Sequence, residues 1–112
     1  MPEYKYETLL VEQDGPVLTI TLNRPERLNA VDRVMHGELE DVFGEVAMDP
    51  SVSAVVVTGS GRGFCSGGDV RAMDERGGSN VLESRPMGAV SQSGRRIIHN
   101  LLWIEQPVIC AL

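Results

Sequence analysis

The sequence predicts an α/β fold, and three observations carry that prediction. Two segments rich in β-branched and apolar residues, Glu7 to Glu12 and Val17 to Leu22, flank Gln13-Asp14-Gly15-Pro16, and Asp-Gly is a strong hairpin signal. A stretch with apolar residues at spacings of three and four then reads as a helix. A second β-branched run, Ser53 to Thr58, returns the chain to the sheet and runs straight into a glycine cluster. The order strand, strand, helix, strand suits a repeating ββα unit better than a plain βαβ alternation.

Pro16 fits the start of the second strand, where its missing N–H does least harm. The polar connection Asn23-Arg24-Pro25-Glu26-Arg27-Leu28-Asn29 follows, and Pro25 disfavours helix at Arg24, so this piece should be irregular or turn-like. Asn29 is the N-cap candidate for the first helix, with Asp32 placed in its first turn. Val31, Val34, Met35, Leu39, Val42, Phe43 and Val46 form the apolar stripe, and Pro50 marks the stop. After the glycine cluster, Asp69 to Glu75 reads as a short helix. Gly77-Gly78-Ser79-Asn80 and Arg85-Pro86-Met87-Gly88 are breakers, so the region between is expected to be mobile or ordered by a ligand or partner. Ser93 to Ile104 resumes helix with Ile97, Ile98, Leu101 and Leu102 on one side. Pro107 ends it, and Val108 to Leu112 begins another buried strand.

At 112 residues the chain can form one modest core. Sixteen acidic against ten basic residues, a net charge of −6, argue against a nucleic-acid partner, which needs a basic face. No apolar run approaches the roughly 20 residues that span a bilayer, so no membrane partner is expected. The start, Met1-Pro2-Glu3-Tyr4-Lys5, lacks a secretory pattern, which makes a cytoplasmic protein the default. Cys65 and Cys110 have no metal-ligand spacing and are read as structural thiols. No metal site is indicated.

The chemistry concentrates at Gly59, Gly61, Gly63, Gly67 and Gly68, five glycines within ten residues. A strand that feeds a glycine-rich loop and then a helix start leaves amide N–H groups without intrachain partners. Such donors suit an anion, or an oxygen that becomes anionic during reaction. The plainer alternative is a tight connection and nothing more.

The string Gly61-Arg62-Gly63-Phe64-Cys65-Ser66-Gly67-Gly68-Asp69-Val70 resembles the oxyanion-hole segment of the crotonase family, the enoyl-CoA hydratases and isomerases. Ile20-Thr21-Leu22-Asn23-Arg24-Pro25-Glu26-Arg27-Leu28-Asn29-Ala30-Val31 and Gln106-Pro107-Val108-Ile109-Cys110-Ala111 are further matches, in the family's order. The resemblance implies a crotonase-like ββα spiral fold, truncated, with residues 1–112 as the N-terminal part of a single domain. It implies an acyl-CoA thioester substrate whose enolate is stabilised by backbone donors, with no metal or redox cofactor. Gly68 matches the residue whose N–H is one oxyanion donor. Ser66 and Gly67 match positions lying against the CoA adenine, while Leu28 and Ala30 resemble residues along the pantetheine and thioester passage. Arg27 and Arg71 are the better matches for CoA phosphate or ribose contacts. Asp69 and Val70 complete the binding segment, Asp69 reading as a helix cap rather than a catalytic group. Phe64 should pack under the loop.

The family pattern continues past the last matched block into the second oxyanion donor, and the acid/base carboxylates usually come later still. Asp69, Asp74 and Glu83 do not match those positions, nor do His36 and His99. Catalysis by this chain alone is therefore not expected. A complete member would be a homotrimer or hexamer, and the resemblance spans hydration, isomerisation, dehalogenation and thioester hydrolysis. Two other readings stand beside it. One is a non-catalytic CoA-binding fragment that needs a partner chain. The other is a dinucleotide site on the same loop, disfavoured because Ser66 occupies the third glycine position.

Overall fold

The computed structural model describes residues 4–68 and 85–112. Strands β1 (Leu9–Asp14) and β2 (Val17–Leu22) pair antiparallel, with Asp14 opposite Val17. Only Gly15 and Pro16 lie between them, and Gly15 supplies the positive φ (59°) that the tight reversal requires. A 3₁₀ turn, Pro25–Arg27, leads to helix α1 (Arg33–Ala47). Strand β3 (Ala54–Gly59) lies parallel to β2, helix α2 spans Arg85–Trp103, and β4 (Val108–Ala111) lies parallel to β3. The four strands run in the order β1-β2-β3-β4.

Period-two alternation sends one side of the sheet inward. Leu18, Ile20 and Leu22 of β2 and Val55 and Val57 of β3 share that face with Leu9. Met35, Val42, Phe43 and Val46 of α1 complete the core with Val52 and Ile104. Val34, assigned to the apolar stripe from spacing, is exposed, because the helix begins at Arg33 and turns that position outward. The cap is also different from expectation. Asp32, in extended conformation, accepts from Met35 N at 2.9 Å, and Asn29 is used elsewhere.

Helix α2 starts at Arg85, earlier than the breakers suggested, with Pro86 in the first turn, where a missing N–H is harmless. It packs on α1 where Gly44 admits Asn100; a Cβ at Gly44 would lie 3.3 Å from Asn100 Nδ2, which donates to Glu40 O. Ile97 and Leu101 face the core, whereas Ile98 and Leu102 are exposed, so the four do not share one side. Among the described residues β4 is the last strand of the sheet, with Val108 partly buried against the core and Ile109 and Cys110 exposed. The expected helix from Asp69 to Glu75 and the breaker Gly77-Gly78-Ser79-Asn80 lie outside the described residues. Among the described residues, no helix is long and apolar enough to cross a membrane.

Candidate functional site

The glycine-rich loop leaves the carboxyl end of β3 beside the carboxyl end of β2, where open α/β sheets present ligands. Its first requirement is Gly59. A Cβ there would stand 2.4 Å from Phe64 O, 2.7 Å from Gly63 O and 2.8 Å from Asn29 Nδ2, so no other residue fits this fold-back. Phe64 is half-buried and packs against the core under the loop, as its sequence position suggested. Gly67 takes φ 107°, a conformation open to glycine alone.

The segment after the 3₁₀ turn grips this loop from the side. Leu28 and Asn29 are both left-handed, with φ of 51° and 56°. Two successive non-glycine residues in that region are strained and persist only where surrounding contacts fix them. Those contacts are visible. Asn29 Oδ1 accepts from Arg24 N at 2.8 Å, and Asn29 Nδ2 donates to Ser60 O at 2.9 Å and Gly63 O at 2.8 Å. Leu28 O accepts from Ser66 N at 3.1 Å, and Val31 N donates to Gly67 O at 2.8 Å.

The last of these bonds sets the direction of the candidate donor. Gly67 C=O and Gly68 N–H belong to one planar trans peptide, so they point in opposite directions. Fixing the carbonyl on Val31 therefore turns the Gly68 N–H away from the Asn29 segment. The parallel bridge between Val31 and Gly68 agrees, since a residue at such a bridge position directs its own N–H away from its bridge partner. Gly68, Gly67 and Ser66 are exposed, and among the described residues no acceptor takes the Gly68 N–H.

The other sequence-chosen residues fall into three groups. Arg27 ends the 3₁₀ turn and is half-buried, Leu28 is 39% exposed beside the loop, and Ala30 is buried. Asp69, Val70 and Arg71 lie outside the described residues. Arg24 is built into the scaffold: its guanidinium donates to Ala30 O and stands 3.7 Å from Asp32. Cys65 and Cys110 are both exposed, and Cys65 Sγ accepts from Gly67 N at 3.4 Å. Among the described residues, no three His, Cys, Asp or Glu side chains converge as metal ligands.

Of the displaced titrations, the Asp49–Tyr4 pair lies at the opposite end of the sheet and the Tyr6–Asp41 pair lies along the middle of α1. Asp49 is held below its usual 3.8 by hydrogen bonds from Ser51 and Tyr4. The Tyr4 and Tyr6 phenols are pushed up from 10.0, first by burial and then by the hydrogen bonds they donate to Asp49 and Asp41. Spacing alone missed the tethering role of Asn29 and Val31. The one available signal was the tolerance of asparagine for left-handed backbone.

Comparison with known proteins places this geometry. The family described as enoyl-CoA hydratase/isomerase matches residues 17–112. The chain belongs to that family. It is 36% identical over 110 residues to the 1,2-epoxyphenylacetyl-CoA isomerase of Escherichia coli K12, covering 95% of this chain and 40% of the relative. It is 35% identical over 105 residues to the short-chain-enoyl-CoA hydratase of Clostridium acetobutylicum, covering 93% of this chain and 38% of that one. The crystal structure of an enoyl-CoA hydratase/isomerase from Mycobacterium paratuberculosis superposes with a TM-score of 0.83 at 33% identity, over 96% of this chain and 42% of the other. The fold is therefore that of the crotonase-type enoyl-CoA hydratases, and the chain spans about two fifths of the length of these relatives. Hydratases and isomerases of acyl-CoA compounds both occur among them, so the family reading of the three sequence blocks stands.

Proposed function

We propose that this enoyl-CoA hydratase/isomerase family chain provides the acyl-CoA-binding loop and one donor of an oxyanion hole. The observation that carries the reading is the pinned Gly67–Gly68 peptide, whose carbonyl is held by Val31 and whose N–H faces outward from an exposed loop. A thioester carbonyl placed against Gly68 N–H gains negative charge when a proton leaves its α-carbon or when water adds at the β-carbon. A donor fixed in advance toward that oxygen lowers the barrier by on the order of 3 kcal/mol. The substrate class is an acyl-CoA thioester, with CoA a part of the substrate and no metal or redox cofactor in the reaction.

Ser66 and Gly67 would line the nucleotide end of the site, Leu28 and Ala30 the pantetheine passage, and Asp69 and Val70 would complete the binding segment. Arg27 and Arg71 would meet phosphate or ribose through their planar donor forks. The second oxyanion donor and the acid/base carboxylates would come from polypeptide beyond these residues, in a trimeric or hexameric enzyme. Exposed Ile98, Leu102, Trp103 and Ile109 favour a second reading of the same unit, as a CoA-binding module that works only with further polypeptide over those residues.

Calorimetric titration of the folded chain with CoA and with butyryl-CoA tests the binding claim. Saturable heat with both ligands is expected. An absence of heat from folded protein would remove the claim. A hydration assay with crotonyl-CoA, run on the protein purified from its natural source, tests the chemistry.

A further inference from the structure

We propose that Asn29 is a positioning residue for the Gly68 amide, a role that rests on the oxyanion reading above. Asn29 is 0% exposed, and every polar atom of its side chain is spent on backbone that frames the loop. Its amide carries both of its donor hydrogens to carbonyls at the start and middle of the loop, Ser60 and Gly63. Its carbonyl holds Arg24 N, which anchors the 3₁₀ turn to the same side chain. The strained pair Leu28 and Asn29 is thus stitched to the loop by side chain, while the neighbouring backbone bonds, Ser66 N to Leu28 O and Val31 N to Gly67 O, form in register with it.

The consequence is mechanical. Gly68 has no side chain, and among the described residues its peptide plane is held through Gly67 O and the preceding loop. The two Asn29 bonds close the loop five residues before Gly68, and Val31 N, two residues after Asn29, orients the plane itself. Without them the Gly67–Gly68 peptide can rotate, and a donor that rotates must be reorganised at the moment charge develops. Gly59 serves the same end, since its bare Cα leaves the room in which Asn29 Nδ2 sits.

The test compares the full chain with Asn29→Asp and Asn29→Gly. The aspartate keeps the acceptor for Arg24 N and loses the amide donors, whereas the glycine keeps the left-handed backbone and loses the side chain. Amide resonances of Ser60 to Gly68 should move or broaden in both variants, while those of β2 and α1 stay in place. Lowering the pH should protonate the introduced carboxyl in Asn29→Asp and partly restore the loop resonances, because an O–H can again donate to one carbonyl. Bound cinnamoyl-CoA should show a red-shifted absorption with the unmodified chain, from polarisation of its thioester carbonyl, and lose that shift in the variants while CoA itself still binds. Loop resonances unchanged in the variants would overturn the proposal. Variants that displace the loop, beside an unmodified chain that gives no red shift, would support Asn29 as the tether and refute the oxyanion reading. Should both variants unfold, the unmodified chain decides: the two Asn29 side-chain protons must exchange slowly with solvent, and rapid exchange would refute the tether.

Discussion

The two ends of the sheet are built on different principles. At the amino ends of β2 and β3, side chains seal the structure. Asp49 is buried and accepts from Tyr4 Oη at 2.6 Å, Ser51 N at 2.9 Å and Ser51 Oγ at 2.6 Å. Gln106 Nε2 donates to Val52 O at 3.0 Å, and Gln13 Nε2 to Ser51 Oγ at 3.1 Å. At the carboxyl ends, one buried side chain, Asn29, holds a loop whose exposed glycines present bare backbone. The first end spends its polar groups on one another; the second holds a peptide plane still and leaves its N–H facing out. Stability and ligand binding should therefore separate by location.

The sharpest break should come at Gly59. Gly59→Ala places a methyl against two carbonyl oxygens and the Asn29 amide, and should cost about 3 kcal/mol in urea denaturation. Loss of acyl-CoA binding should accompany it. At the sealed end, Asp49→Ala strips three donors of their acceptor and should lower stability by about 2 kcal/mol. Calorimetry with butyryl-CoA should then show the affinity of the unmodified chain at temperatures where the variant is folded. A comparable loss of affinity would mean that the two ends are coupled.

The same carboxylate gives the contrast a pH signature. The folded-state value of Asp49 lies below its ordinary 3.8, so its contribution is fully present above that value. It is lost as the pH falls from there through the folded-state value, where the unfolded chain takes up the proton first. Asp49→Asn should accordingly flatten the stability profile below about pH 4, measured by denaturation at stepped pH. Tyr4→Phe removes one donor from the same network and should cost about 1 kcal/mol. The smallest effect belongs to Cys65→Ala, which deletes a weak sulfur acceptor on an exposed turn. Thermal melting should register less than about 0.5 kcal/mol.

The same contrast explains what the sequence disclosed. Local chemistry was legible: Asp14-Gly15 as a hairpin, Pro25 as a helix-avoiding turn, and the strand into glycines from Val55 to Gly68. Asn29 was not, because asparagine is equally suited to a helix cap and to left-handed backbone. What decides between them is a pair of carbonyls more than thirty residues away in sequence. Asp32, three positions later, was free to take the cap. Exposure was misjudged where spacing is ambiguous. Ile97 and Ile98 are adjacent on one helix, yet only Ile97 turns inward. Which of the two does so depends on the elements packed nearby, and residue type does not encode that.

The outward Gly68 N–H is the centre of this account, and one measurement addresses it. The chain labelled with ¹⁵N-glycine should be titrated with CoA and, separately, with butyryl-CoA, following the glycine amide resonances. A downfield movement of the Gly68 proton with butyryl-CoA, and little movement with CoA alone, is the result expected of a donor to the thioester oxygen. A Gly68 resonance that stays in place at saturating butyryl-CoA, while other loop glycines respond, would contradict it.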